Sequence, residues 1–197
     1  ASPFPSMPLR FWGDADGARH HDAYFSNFPG VWRHGDYIKI NARGGCCIYG
    51  RSDSTLNRHG VRIGTAEIYR AVEQVEGVAD SLVVCCEQHD GGFYMPLFVK
   101  LKPGFVLDEE MRKRIVTKLR KDCSPRHVPD QILQVPDVPY TLTGKKTEIP
   151  VRKLLTGGAL EKVVSRDALR NPSAIEWYAG YARTLDPVGI RAAGEAP

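Results

Sequence analysis

The 197-residue sequence predicts an α+β fold, and three observations carry that expectation. Two apolar runs, "VADSLVVCCEQ" and "FYMPLFVKLKPG", read as buried strands joined by the polar loop "HDGG". Two stretches, one starting at Thr65 and one over residues 108 to 122, place apolar residues at helical spacing. Their order, strand, helix, strand, strand, helix, strand, spans about a hundred residues, a size that folds alone.

Residues 1 to 50 read as short strands and turns, a β-rich piece in which "GVWRHGDYIKI" and "GGCCIYG" form an antiparallel pair. "STLN" and "VRI" flank "RHG" as a hairpin, with Gly60 supplying a positive φ at the turn. The first helix follows, with Thr65 as its N-cap and Ile68, Val72 and Val75 on one face beside Ala71. Residues 108 to 122 form a charged amphipathic helix whose apolar residues are Met111, Ile115 and Leu119. Pro125 and Pro129 in "SPRHVP" end that helix. "DQILQVPDVP" then gives a short strand, "YTLTGKKT" an irregular loop, "EIPVRKLL" a short helix, and "NPSAIEWYAGYA" one more helix in the tail. The final "GIRAAGEAP" is expected to fray. The opening "ASPFPSMPLRFWGDADG", without an initiator methionine, suggests a piece of a longer chain cut in a surface loop.

Composition excludes several classes of function. The net charge is +4, with basic residues scattered among 23 acids, so a nucleic-acid footprint is not indicated. No apolar stretch of ~18 residues suits a membrane span, and the N-terminus lacks the regions of a signal peptide, which predicts a cytoplasmic protein. The five cysteines (Cys46, Cys47, Cys85, Cys86 and Cys123) fit neither a disulfide framework nor a zinc site, and read as small apolar residues in a reducing compartment. The six histidines offer no metal site, and no Ser-His-Asp arrangement is supported, since no Gly-x-Ser-x-Gly elbow is present.

The candidates for chemistry are few. Lys145 follows Gly144 on a loop that the sequence suggests is flexible, so it can act as a mobile cation for charge on a phosphate or carboxylate oxygen. A solvated surface lysine is the commoner identity of a Gly-Lys pair, and with Pro139 in the place of the first glycine this is no Walker loop. Asp36, after Gly35 at the start of a strand, can accept hydrogen bonds from a sugar diol or be a turn aspartate. Arg51 and Asp53 share a turn, where they serve a ligand or only each other. Arg62 lies between Val61 and Ile63, free to reach a phosphate or simply to line the polar face of the hairpin.

Taken in order, these segments resemble a known family. "WRHGDY", "GRSDSTLNRHGVRIGTAEI" and "VPYTLTGKK" look like the closing third of the adenylate-forming acyl-CoA synthetases, over about residues 7 to 160. The phrases "GVRIGTAEIY", "SPRHVP" and "QVPDVPYTLTGKK" resemble the branch that acts on a short β-keto acid, acetoacetate. The resemblance implies a domain plan: residues 1–52 would end a large N-terminal adenylation domain, 53–160 would be a small mobile C-terminal lid with a hairpin, a short mixed sheet and helices, and 161–197 a tail with one helix.

It also implies roles. Lys145 would be the catalytic lysine of adenylation, Asp36 and Arg51 would bind nucleotide, Asp53 would be the hinge, Gly60 would leave room for the arm of CoA, and Arg62 would approach a phosphate. The parent enzyme would use ATP, magnesium and CoA as substrates and would bind no metal of its own through these residues; this stretch alone would be inactive. After Lys145 the family's Ile and paired arginines are replaced by "KTEIPV", which leaves the part played by Lys146 open. Two other readings stand beside this one: a non-catalytic lid module that docks CoA or a carrier protein, and a regulatory domain in which an acyltransferase modifies Lys145.

Overall fold

Side chains along a strand point alternately to opposite faces, and here both faces of the central sheet are apolar. A computed structural model describes residues 6–52, 56–58, 61–88 and 92–185, which fall into two compact units, Ala1–Asp36 and Tyr37–Pro197. The expected boundary at 52/53 therefore falls inside the second unit.

In the first unit the sequence suggested only strands and turns, yet helix α1 spans Ala18–Tyr24. None of its residues is buried, so there was no apolar periodicity to reveal it. Asp14, four residues before the helix, accepts through its carboxylate the N–H groups of Arg19 (3.0 Å) and His20 (2.8 Å), two donors that a first turn leaves unsatisfied. Burial pushes the Asp14 carboxyl up, but the hydrogen bonds from His20 and Arg19 outweigh it and hold the group below its ordinary value.

Strands β1 (Asp36–Ile40) and β2 (Cys46–Arg51) form a two-stranded sheet. Strands β3 (Leu56–Arg58) and β4 (Val61–Ile63) pair antiparallel as the expected hairpin, Leu56 opposite Ile63 and Asn57 opposite Arg62. Gly60, at its turn, lies outside the described residues. Helix α2 (Thr65–Val72) starts at the residue expected to cap it: Gly64, one residue earlier, is the N-cap, with extended backbone, and Thr65 is already helical and buried. Val75 lies beyond the helix end yet joins the same core.

The central sheet has the order β5 (Val78–Val83), β8 (Pro96–Leu101), β9 (Gln131–Gln134), with β6 (Cys86–Glu87) and β7 (Phe93–Tyr94) forming a small ladder of their own. β8 runs antiparallel to β5 and parallel to β9. A parallel pair needs a crossover, and α3 (Glu109–Asp122) supplies it, capped by Asp108, whose side chain accepts the Met111 N–H at 2.8 Å.

Alternation then divides the core. Val83, Leu97, Val99 and Ile132 face one cluster with Ile68 and Val72 of α2 and Met111, Ile115 and Leu119 of α3. Leu82 and Phe98 face the other, with α4 (Glu148–Leu155) and α6 (Pro172–Ala182). The tail helix is thus part of the core: Ile175 and Tyr178 are fully buried, and the Phe98 and Tyr178 rings meet edge to face with centroids 4.8 Å apart. In chain order the short α5 (Leu160–Val163) lies between α4 and α6.

Cys85 and Cys86 are buried as small apolar residues, and burial pushes the Cys86 thiol up to about 12. Cys46 and Cys47 depart from that expectation, being exposed on β2. No helix among the described residues is long and apolar enough to cross a membrane. The segment "GIRAAGEAP" lies outside the described residues.

Candidate functional site

Residues 140–147 form a hydrogen-bonded hairpin rather than the flexible, irregular loop the sequence suggests. Tyr140 pairs with Lys146 in an antiparallel bridge, and the Gly144 N–H closes a turn on the Thr141 carbonyl at 2.9 Å. Gly144 sits at φ 78°, a backbone that disfavours any residue with a Cβ. The backbone of Lys145 is held from both sides by Thr141: its N–H donates to the Thr141 hydroxyl (3.0 Å), and its carbonyl accepts the Thr141 N–H (2.8 Å). The loop is also stitched to residues 168–170, through Leu142 N–H to the Ala168 carbonyl (3.0 Å) and Arg170 N–H to the Tyr140 carbonyl (2.9 Å). Lys145 itself is exposed, so the result is a cation presented to solvent on a fixed backbone.

Lys146 has the opposite environment. Its ammonium lies 2.6 Å from Glu73, the C-cap of α2, 2.8 Å from Asp80 and 2.6 Å from the Ser81 carbonyl of β5, and 4.0 Å from the centre of the Tyr69 ring. Those partners are themselves tied down. The Ser81 hydroxyl donates to Glu73, the Tyr140 hydroxyl donates to Asp80 at 2.8 Å, and the Tyr69 hydroxyl donates to Glu148 of α4 at 2.6 Å. Burial, then the hydrogen bond to Asp80, raises the Tyr140 phenol well above its ordinary range, while burial and Glu148 do the same for Tyr69. At Tyr140, on the facing strand of the hairpin, Asn171 accepts the backbone N–H (2.9 Å) and donates to Asp137 (2.6 Å) and the Val138 carbonyl (2.8 Å).

Asp36 is half-buried at the head of β1, with its carboxylate 2.7 Å from the His34 ring. It belongs to the first unit and Lys145 to the second. The backbones of Arg51 and Arg62 are placed in β2 and β4, but their side chains lie outside the described residues, as does the whole of Asp53.

Sequence reasoning dismissed any Ser-His-acid arrangement, yet the fold joins Ser124, His127 and Glu67. The Ser124 hydroxyl is 2.8 Å from Nδ1 of His127, and Nε2 is 3.2 Å from Glu67. The serine oxygen caps the 3₁₀ turn Pro125–His127 by accepting the Arg126 N–H, so the trio pins that turn to α2. The residues that reading the sequence missed at the lysine hairpin, Tyr69, Glu73, Asp80 and Asn171, stand 26 to 76 positions from Lys145, beyond the reach of any local motif.

Among known proteins the chain is similar to acyl-CoA synthetases. It is similar to acetoacetyl-CoA synthetases in particular. That of Caenorhabditis elegans is 46% identical over 182 residues, a match covering 91% of this chain and 26% of the relative. The solved acetoacetyl-CoA synthetase from Streptomyces lividans is 49% identical with a TM-score of 0.84, over 92% of this chain and 27% of that one. The fold alone extends to the anthranilate CoA ligase AuaEII in complex with anthranoyl-AMP, at 24% identity and a TM-score of 0.59, over 75% of this chain and 27% of that one. This chain therefore spans about a quarter of the length of the relatives it matches. No family model matches it.

Proposed function

We propose that this chain is the C-terminal lid and adjoining segment of an ATP-dependent acid-thiol ligase that activates acetoacetate as acyl-AMP, releases pyrophosphate, and passes the acyl group to CoA. The observation that carries the reading is the exposed Lys145 after Gly144 on a backbone-clamped hairpin, in a chain similar to acetoacetyl-CoA synthetases over nearly its whole length. ATP, magnesium and CoA are substrates of the complete enzyme, which we assign to the cytoplasm.

In this reading residues 53–160 form the lid and 1–52 close the large domain. Lys145 approaches the acid's carboxylate and the α-phosphate as negative charge gathers between them. A cation presented on a rigid support needs no reorganisation at that moment. Asp36 takes the ribose hydroxyls in place of its contact with His34, Arg51 assists at the ribose and phosphate, and Asp53 is the pivot between the two half-reactions. Gly60 and Arg62 lie along the path of CoA. Because Lys145 is exposed, it is also a substrate for a lysine acyltransferase, and loss of its charge would silence adenylation.

The test is pyrophosphate exchange by the complete enzyme with a panel of short acids, wild type beside Lys145→Ala. Removing one group that stabilises the developing charge typically costs about 10²- to 10³-fold, so exchange with acetoacetate should fall by that factor. Thioester formation from supplied acyl-adenylate should be comparatively spared. Exchange that persists in Lys145→Ala, or that no acid supports in the folded wild type, would sink the proposal.

A further inference from the structure

Two adjacent lysines on a β-like hairpin project to opposite sides, and this hairpin gives them opposite surroundings. Lys145 faces solvent, whereas the side chain of Lys146 is only 15% exposed and lies between two carboxylates, a carbonyl and an aromatic face. Its partners come from separate elements: Tyr69 from α2 and Glu73 from its C-cap, Asp80 and Ser81 from β5. Tyr140, the bridge partner of Lys146, donates its hydroxyl to the same Asp80.

We infer that Lys146 is a positioning residue for Lys145: its ammonium anchors the hairpin to α2 and β5, and so fixes the direction in which the neighbouring lysine is presented. A compact ammonium on a flexible stem suits this task, since three donors can meet acceptors arriving from three directions. Breaking such a cluster by removing the cation leaves Glu73 and Asp80 facing each other with their shared counter-charge gone, and the hairpin is expected to shift away from them. Lys146 touches no substrate in this scheme. It acts on the reaction only through Lys145, so the inference rests on the ligase reading above.

The prediction is specific to one half-reaction. In the complete enzyme, Lys146→Met should lower kcat for acetoacetate adenylation about 10- to 100-fold, the range expected for an ångström-scale misplacement of a catalytic group. KM for ATP should stay within about 3-fold, and thioester formation from supplied acyl-adenylate within about 2-fold, because the misplaced cation serves only the first step. In the Lys145→Ala background, adding Lys146→Met should cost nothing further, since a residue that acts through another has no route left. Should Lys146→Met fail to fold, Asp80→Asn keeps a side chain of the same shape and should show the same pattern at about 5- to 10-fold.

Equal losses in both half-reactions, or additive losses in the double variant, would reduce Lys146 to a contributor to stability and overturn the inference. Full adenylation by Lys146→Met beside an inactive Lys145→Ala would overturn it while leaving the ligase reading intact. Normal adenylation by Lys145→Ala would overturn the reading on which it stands.

Discussion

Replacing Asn171 by alanine should cost the protein several degrees of thermal stability, although the residue is half-buried and directly precedes α6, the helix of the tail. Three hydrogen bonds are lost: from the Tyr140 N–H at 2.9 Å, to Asp137 at 2.6 Å and to the Val138 carbonyl at 2.8 Å. At roughly 1 kcal/mol net for each neutral bond and somewhat more for the charged one, less what water restores at a half-buried site, the loss is about 2 to 4 kcal/mol. For a chain of this size that corresponds to a fall in Tm of about 5 to 15 °C. Asn171→Asp sharpens the test. It keeps an acceptor for Tyr140 but sets a second carboxylate against Asp137, so near neutrality it should be worse than alanine.

The pH dependence has a definite sign. In the wild type, burial pushes Asp137 up, but hydrogen bonds from Lys100 and Asn171 outweigh it and hold the group below the usual carboxylate range. Its contribution is present above that range and lost as pH falls through the lowered value. The aspartate pair of the variant, conversely, is relieved when it shares a proton. The gap between the two proteins should therefore narrow as pH falls below about 5. Thermal unfolding of the 197-residue chain followed by circular dichroism reads both effects. A fall of under about 2 °C for alanine, or a gap for the aspartate variant that ignores pH, would refute the reasoning.

Phe98→Ala should cost about 3 to 5 kcal/mol, measured as a shifted urea midpoint, because Phe98 is fully buried against Tyr178, Trp177 and Tyr181; a shift near that of a surface substitution would mean that α6 does not close the core. Burial raises the Tyr178 and Cys86 groups, so their neutral forms are favoured in the folded protein and their stabilisation is full below their unfolded values. It should decline as pH rises, from about 8.5 for the thiol and 10 for the phenol. The last part of the tyrosinate absorbance, that of Tyr178, should then appear together with unfolding, while a thiol reagent at neutral pH labels Cys46 and Cys47 first and leaves Cys85 and Cys86 until the chain opens.

Much of this architecture was legible because it is local. The amphipathic pattern of α3, with Met111, Ile115 and Leu119 on one face, needs nothing but the helical repeat, and its N-cap Asp108 stands directly before it. The hairpin of β3 and β4 and the apolar runs of β5 and β8 are likewise short-range patterns. Helix α1 escaped because it buries none of its residues and so carries no periodicity. Thr65 was mistaken for a cap because a threonine before an apolar run suits that role, whereas the chain leaves β4 extended through Gly64 and is already helical at Thr65.

Periodicity and turn chemistry act over a few residues, which is enough to establish the α+β class, the order from the β3–β4 hairpin through α4, and a Gly-Lys pair at 144–145. Packing across the fold is what lets α6 close the second face of the sheet, since Phe98 and Tyr178 are eighty positions apart. It alone separated the two lysines. No spacing rule distinguishes Lys145 from Lys146, and the difference arises from Glu73 and Asp80, brought beneath the hairpin by α2 and β5. A charge's role follows from which charges the fold places within a few ångströms of it, and that is a property of three dimensions.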